Sequence, residues 1–153
     1  MEKTITIEDK SIRFKSSAAT NILYKRTFGE DILIKLTSYT KNLKELREME
    51  KRMKELQNET DKSDTERAEE MNKILQSDVF AETNKFSSET LPKLAYIMWL
   101  EGNETQETIF KKLNEENYLI WLMDINTDEL LTVTSQVMDL WQAGAKNHSK
   151  PKN

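Results

Sequence analysis

The chain has 153 residues, of which 37% are hydrophobic and 33% charged, enough for one domain with a real core. A net charge of -4 argues against a general nucleic-acid binder, and the absence of cysteine excludes disulfides, thiolate metal sites and cysteine nucleophiles. Three Gly and two Pro disfavour an all-β fold, which needs many tight turns, so the fold class is predicted to be mainly α.

The N-terminal residues predict a β-hairpin. Ile5 and Ile7 alternate with polar residues, a polar turn follows over 8–11, and Ile12 and Phe14 repeat the alternation. Because a lone hairpin is marginal in water, we expect its apolar face to pack on helices. The alternative is that its unpaired edges add to a strand of another chain.

A short helix and a long helix are predicted next. Ser16 or Ser17 can cap the first, and Gly29 is placed to end it, since glycine accepts the left-handed conformation. The second begins after residues 30–31 and can run for about 25 residues, or roughly 40 Å, as an extended arm. Apolar residues follow one stripe of this helix at Ile32, Leu36, Tyr39, Leu43, Leu46, Met49, Met53 and Leu56.

Large apolar side chains are nearly absent from residues 58–73, which we predict to be an exposed charged linker or the tip of the helical arm. The core pattern resumes at Ile74, and Ser87 or Ser88 is expected to open a helix that ends at Gly102-Asn103. The inward residues of this helix are predicted to be Leu91, Leu94, Ala95, Met98 and Trp99.

The C-terminal part predicts a short helix around Phe110 and a densely apolar segment over 115–123. Asp128 is expected to cap a final helix whose inner face is Leu131, Thr134, Val137, Met138 and Trp141. We therefore predict a small single helical domain over 1–144, with the hairpin at its N-terminus, and a disordered tail over 145–153.

Candidate catalytic, cofactor and metal sites are not apparent in the sequence. His148 lies in the polar tail without an acidic or cysteine partner, so we expect it to be solvated. Glu69 and Glu70 begin a pattern that all-helical magnesium-dependent nucleotide hydrolases use, but Lys73 stands where a further carboxylate is needed. The favoured interpretation of these acids is a solvated helix face, and no cofactor is expected.

Two further groups have ordinary structural explanations. The run Tyr24-Lys25-Arg26 is favoured as surface charge over a phosphate contact. Trp99, Trp121 and Trp141 fall at core positions of predicted helices and are expected to pack there, with a protein interface as the alternative.

Two blocks of the sequence resemble the tail assembly chaperones of long-tailed (siphovirus) phages and prophages of Gram-positive bacteria. The first block is Arg13-Phe14-Lys15, Leu23-Tyr24-Lys25-Arg26 and Phe28-Gly29-Glu30-Asp31-Ile32. The second is Leu94-Ala95-Tyr96-Ile97-Met98, followed by Trp121-Leu122 and Asp139-Leu140-Trp141. The sequence departs from the family pattern at 100–103 and in its long charged stretch over 44–72.

The resemblance implies a non-enzymatic protein of the host cytoplasm, absent from the mature virion. It implies binding to the tape measure protein, homo-oligomerisation, and contact with the tail tube protein through a longer frameshifted form. The stripe Leu46, Met49, Met53 and Leu56 is the candidate partner-binding surface, because Met-bearing apolar surfaces adapt to helical clients. The alternative for this stripe is packing on the protein's own core or within a homo-oligomer.

Two other functions remain open on the sequence. One is a structural head–tail connector or minor virion component, and the less favoured one is a degenerate all-α magnesium-dependent nucleotide hydrolase. No apolar stretch approaches the ~20 residues of a membrane span and the N-terminus lacks a signal-peptide core, so we expect a soluble intracellular protein without membrane or nucleic-acid partners.

Overall fold

The computed structural model describes the backbone of residues 1–7 and 9–149, with side chains through Ala143. A two-stranded antiparallel sheet is followed by helices, so the prediction of a mainly α fold with an N-terminal β-hairpin is confirmed. The elements are β1 (Glu2–Ile7), β2 (Lys10–Lys15), α1 (Thr20–Phe28), α2 (Ile32–Asn58), α3 (Asp64–Leu75), α4 (Asp78–Lys85), a π-helical turn (Phe86–Thr90), α5 (Leu91–Asn103), α6 (Gln106–Lys111), α7 (Glu115–Met123) and α8 (Thr127–Ser149).

The chain divides into two compact units. The terminal unit contains Met1–Ile32 and Glu89–Asn153, and the inserted unit contains Leu33–Ser88. The prediction of a single domain over 1–144 stays a prediction. Of the predicted disordered tail, 145–149 are helical in backbone as the end of α8, whereas 150–153 lie outside the described residues.

The hairpin forms as its alternation predicts. Ile5 pairs with Ile12 and Lys3 with Phe14, so these side chains share one face of the sheet. Ile5 and Phe14 are buried, and both strands pack on helices: β2 on α5, and β1 on α8. The hairpin therefore contributes one apolar face to the core of the terminal unit, which stabilises an element that would be marginal alone.

Helix α1 starts later than predicted and ends where predicted. It begins at Thr20 without a side-chain cap from Ser16 or Ser17, so that expectation was wrong. The Ser17 hydroxyl instead accepts the Ala19 N–H and donates to Glu101, as the Thr20 hydroxyl also does. Gly29 ends the helix with φ 70°, and its N–H donates to the Lys25 carbonyl.

Helix α5 is the central element of the terminal unit and is buried around most of its circumference. The buried residues are Leu91, Pro92, Leu94, Ala95, Tyr96, Ile97, Met98 and Leu100, whereas Trp99, predicted to point inward, is only half-buried. A single apolar stripe was expected, but α5 contacts β2, α1, α8, α6 and α7 and so has little solvent side.

Close packing between α5 and β2 depends on Gly102. A Cβ added there would lie 2.8 Å from the Arg13 carbonyl oxygen, which is far inside van der Waals contact. The neighbouring Asn103 side chain donates to the same carbonyl at 2.7 Å and to the Trp99 carbonyl at 2.8 Å. Gly102 lies within α5, and the helix continues to Asn103.

The predicted helix start at Ser87 or Ser88 was wrong, because the backbone there is a π-helical turn over Phe86–Thr90. Pro92 lies two residues beyond this turn. Proline lacks an N–H and its ring collides with the carbonyl four residues earlier, here that of Ser88. The wider π turn accommodates that collision without ending the helical backbone.

The predicted inner face of α8 is confirmed in part. Thr134, Val137 and Trp141 are buried as predicted, and Val133 and Leu140 are buried with them, whereas Leu131 is 64% exposed. The cap is Asn126 rather than Asp128: its side-chain oxygen accepts the Glu129 N–H at 2.8 Å.

In the inserted unit, α2 runs antiparallel to α3 and α4. The Tyr39 ring stacks on Phe86 near one end at 4.1 Å, and Arg52 pairs with Glu70 at 3.0 Å toward the other. The 27-residue α2 confirms the predicted long helix. Of the predicted linker or arm tip over 58–73, residues 59–63 form the irregular turn, and 64–73 belong to α3, in which no residue is buried.

None of the helices in the described part of the chain combines the length and apolar character that crossing a membrane requires.

Candidate protein-binding surface

The predicted partner-binding stripe lies along α2 in the inserted unit. Leu46, Met49 and Met53 are half-buried, and Leu56 has no exposed surface. The Met49 sulfur accepts a hydrogen bond from the Ser77 hydroxyl at 3.6 Å, so part of this face packs beside the start of α4. A partner could reach Leu56 only after its present neighbours move. The role of the stripe in partner binding stays a prediction.

A more exposed apolar surface lies on α7 in the terminal unit. Leu119 and Ile120 are each more than half exposed, and Met123 is 84% exposed. With the exposed Glu116 they occupy the spacing i, i+3, i+4 and i+7, which places them on one stripe of the helix. The outer stripe of a helix is ordinarily polar, so this one has the composition of a surface that another molecule covers.

The inner side of α7 is fixed by aromatic packing. Tyr118 and Trp121 are buried, and Trp121 lies 5.5 Å from Tyr96 and 6.2 Å from Trp99 on α5, measured between ring centroids. The Tyr118 ring also meets Phe28 edge-on at 5.2 Å. These ring contacts join α1, α5 and α7, so the outward stripe of α7 is held on a rigid base.

Burial raises the pKa of two of these tyrosines to about 12. In Tyr96 the main cause is desolvation of the phenolate, with a smaller contribution from the nearby Glu104 charge. In Tyr118 desolvation is again the main cause, followed by Glu89. The Tyr96 hydroxyl donates to the Lys112 carbonyl at 2.7 Å. Both phenols therefore ionise at higher pH than a solvated tyrosine does.

An open groove of about 310 Å³ lies beside α7, lined in part by Trp99, Trp121 and Ile120. Two ion pairs stand at its wall: Lys112 with Glu104 at 2.8 Å, and Lys10 with Glu129 at 3.7 Å. Aromatic and aliphatic walls with charged edges suit a large apolar side chain of a partner.

Of the two acids predicted to lie on a solvated helix face, Glu69 is exposed, whereas Glu70 forms ion pairs. Glu70 binds Lys62 at 2.7 Å and Arg52 at 3.0 Å, and these hydrogen bonds, that from Lys62 foremost, lower the pKa of its carboxyl. Among residues with described side chains, no group of three or more His, Asp or Glu is arranged to hold a metal ion. His148 lies outside the described side chains.

In the run 24–26, Tyr24 lies in the core and the two cations lie at the surface. Tyr24 is fully buried and donates to Glu30 at 3.1 Å; burial, reinforced by the Glu30 charge, raises its pKa. The Arg26 guanidinium lies 5.3 Å from the centre of the Phe110 ring, a cation–π contact between α1 and α6.

Trp121 and Trp141 are buried as predicted, and the Trp141 Nε1–H donates to Asn21 Oδ1 at 2.9 Å.

The outward stripe of α7 was missed at the sequence level, where 115–123 was treated only as a densely apolar segment. Apolar residues occupy every phase of this short helix, as they nearly do in the buried α5, so the sequence does not indicate that one side of α7 stays exposed. No protein-family model, curated protein or solved structure matches the chain.

Proposed function

We propose that this protein is a phage or prophage tail assembly chaperone that binds the tape measure protein and keeps it soluble during tail assembly. The motifs around Leu23–Arg26 and Phe28–Ile32, with the later Ala95-Tyr96-Ile97-Met98 segment, suggest this family. In the structure these segments belong to α1, the turn after it, the first residue of α2, and α5. They supply core residues such as Tyr24 and Tyr96, which is the role that fold-defining motifs have.

The observation that carries the proposal is the exposed apolar stripe of α7. A long helical client exposes apolar stripes of its own until the tail tube encloses it, and such surfaces aggregate when left uncovered. A chaperone for that client needs a rigid, accessible apolar surface rather than a cleft with convergent catalytic groups. Leu119, Ile120 and Met123 provide such a surface.

Co-expression tests this function directly. The cognate tape measure protein is produced alone, with the full-length chain, and with an unrelated acidic helical protein of similar size. We expect the soluble fraction to rise several-fold only with the chain, and a complex to elute in size-exclusion chromatography. No increase in solubility and no complex would refute the proposal.

Mass spectrometry of purified virions separates this function from that of a structural component. A chaperone acts before the tail is complete, so we expect the chain to be missing from mature particles. Its presence in fixed stoichiometry with a known tail protein would favour a head–tail connector or minor virion component instead.

A further inference from the structure

One segment of the chain, residues 113–145, has an unusual charge distribution. Residues 113–145 contain six carboxylates and no Lys or Arg, while the whole chain has a net charge of only -4. The remaining residues are therefore net positive. The carboxylates are Glu115, Glu116, Asp124, Asp128, Glu129 and Asp139.

Three of these charges flank the apolar stripe of α7. Glu115 and Glu116 are exposed at its first turn, and Asp124 is exposed at its C-terminal end. Between them lie Leu119, Ile120 and Met123, so the outer surface of α7 is apolar in the middle and negative at both ends. No Lys or Arg lies on α7, and the lysines near it are each paired with a carboxylate outside α7: Lys10 with Glu129, Lys111 with Glu107 and Lys112 with Glu104.

We propose that the outer face of α7 is the docking site for a basic amphipathic helix of the client protein, with Lys or Arg flanking its apolar stripe. This inference rests on the proposed function and adds the binding surface and the charge of the bound segment. Complementary charge selects the partner and speeds its encounter, while apolar contact supplies most of the affinity.

The dimensions suit a helix. The nine residues of α7 extend over about 13 Å, which matches two to three turns of a partner helix lying alongside. The groove beside Ile120 can receive one large side chain of that helix against Trp99 and Trp121. Two helices packed in this way bury the Met123 side chain, which is otherwise almost fully exposed.

A peptide-binding experiment tests the inference with the full-length chain. The probe is a labelled leucine–lysine helix of about 18 residues, long enough to be helical, compared with the same sequence carrying Glu for Lys. We expect fluorescence anisotropy to show binding of the basic peptide at least tenfold tighter than of the acidic one. The difference should shrink as salt is raised.

Two matched variants locate the site. Met123→Lys places a cation in the middle of the α7 stripe and should weaken basic-peptide binding at least tenfold. Ile22→Lys makes a comparable change at a residue 68% exposed on α1 and should leave binding unchanged. Because both positions are exposed, far-ultraviolet circular dichroism should match that of the unaltered chain.

Three results would overturn the inference: equal affinity for the two peptides, an unaffected Met123→Lys variant, or a dimer in sedimentation velocity that Met123→Lys dissociates. The last would mean that a second copy covers α7. Binding of the tape measure protein that survives Met123→Lys would refute the docking site but leave the chaperone function standing. If the chain binds the basic peptide as expected but neither binds nor solubilises the tape measure protein, the chaperone function is refuted and the peptide-binding surface on α7 still stands.

Discussion

Replacing Gly102 by alanine should destabilise the terminal unit although it improves the helix that contains the residue. The new methyl group would lie 2.8 Å from the Arg13 carbonyl oxygen and 3.1 Å from its carbon. Both are backbone atoms of β2, so no side chain can rotate away. Strand and helix must separate by several tenths of an ångström to relieve the contact.

The magnitude follows from three opposing effects. Glycine to alanine inside a helix stabilises by about 1 kcal/mol. Overpacking against a rigid neighbour costs about 1–3 kcal/mol, and weakening the hydrogen bond from Asn103 to Arg13 costs about 1 kcal/mol more. We therefore expect the free energy of unfolding to fall by about 1–3 kcal/mol.

Urea denaturation followed by tryptophan fluorescence is the suitable assay, because all three tryptophans lie in the terminal unit. Gly29 provides the matched control: it has φ 70°, and a Cβ added there would have no atom within 4 Å, so Gly29→Ala suffers only from backbone conformation. That change should cost about 1 kcal/mol, and Gly29→Asn less, since Asn tolerates the left-handed region. At Gly102, by contrast, Asn should be worse than Ala.

A Gly102→Ala protein as stable as the unaltered chain, or more stable, would refute this reasoning. It would mean that β2 can move away from α5 at no cost and that the close approach at Arg13 is not required. Equal losses for Ala and Asn at Gly102 would show that bulk is not the cause.

Three further predictions concern polar groups. Glu101→Ala should lower the free energy of unfolding by about 1–3 kcal/mol, because the buried Thr20 hydroxyl loses its 2.6 Å acceptor; Glu101→Gln, which keeps an acceptor, should cost less in the same urea assay. Because the pKa of Glu70 is lowered in the fold, its ion pairs stabilise the inserted unit at pH values above the ordinary glutamate pKa, and this stabilisation should be lost as the pH falls through the lowered value. Helix unfolding by acid, followed by circular dichroism, should therefore be less sensitive to pH in the Glu70→Gln variant. Tyr96 and Tyr118 have a pKa of about 12 in the folded protein but ionise near pH 10 when unfolded, so the free energy of unfolding should fall as the pH rises above 10. An absorbance titration in which every tyrosine of the folded protein ionises near pH 10 would contradict this.

Features set by neighbouring residues were predictable from the sequence. The hairpin follows from the alternation around Ile5 and Phe14, and the end of α1 follows from Gly29, because both are consequences of local backbone geometry. The length of α2 follows similarly from its unbroken apolar period.

Features set by contacts between residues distant in the sequence were not predictable from the sequence. Asn126 rather than Asp128 caps α8, and both residue types are good caps, so the choice depends on how the helix packs. Nothing near Gly102 in the sequence indicates that Arg13 lies against it. The outward apolar stripe of α7 could be inferred only after its other side was found to pack on Tyr96 and Trp99.

The insertion of residues 33–88 into the terminal unit has a consequence during synthesis on the ribosome. The hairpin and α1 emerge first, but α5, on which they pack, ends at Asn103, 89 residues after Phe14. At about 5–20 residues per second, Phe14 and its neighbours wait about 4–18 seconds without their partner. The antiparallel helices of the inserted unit can form within that interval from their own contacts. The inserted unit can therefore fold before the terminal unit, although the terminal unit contains the first residues to be synthesised.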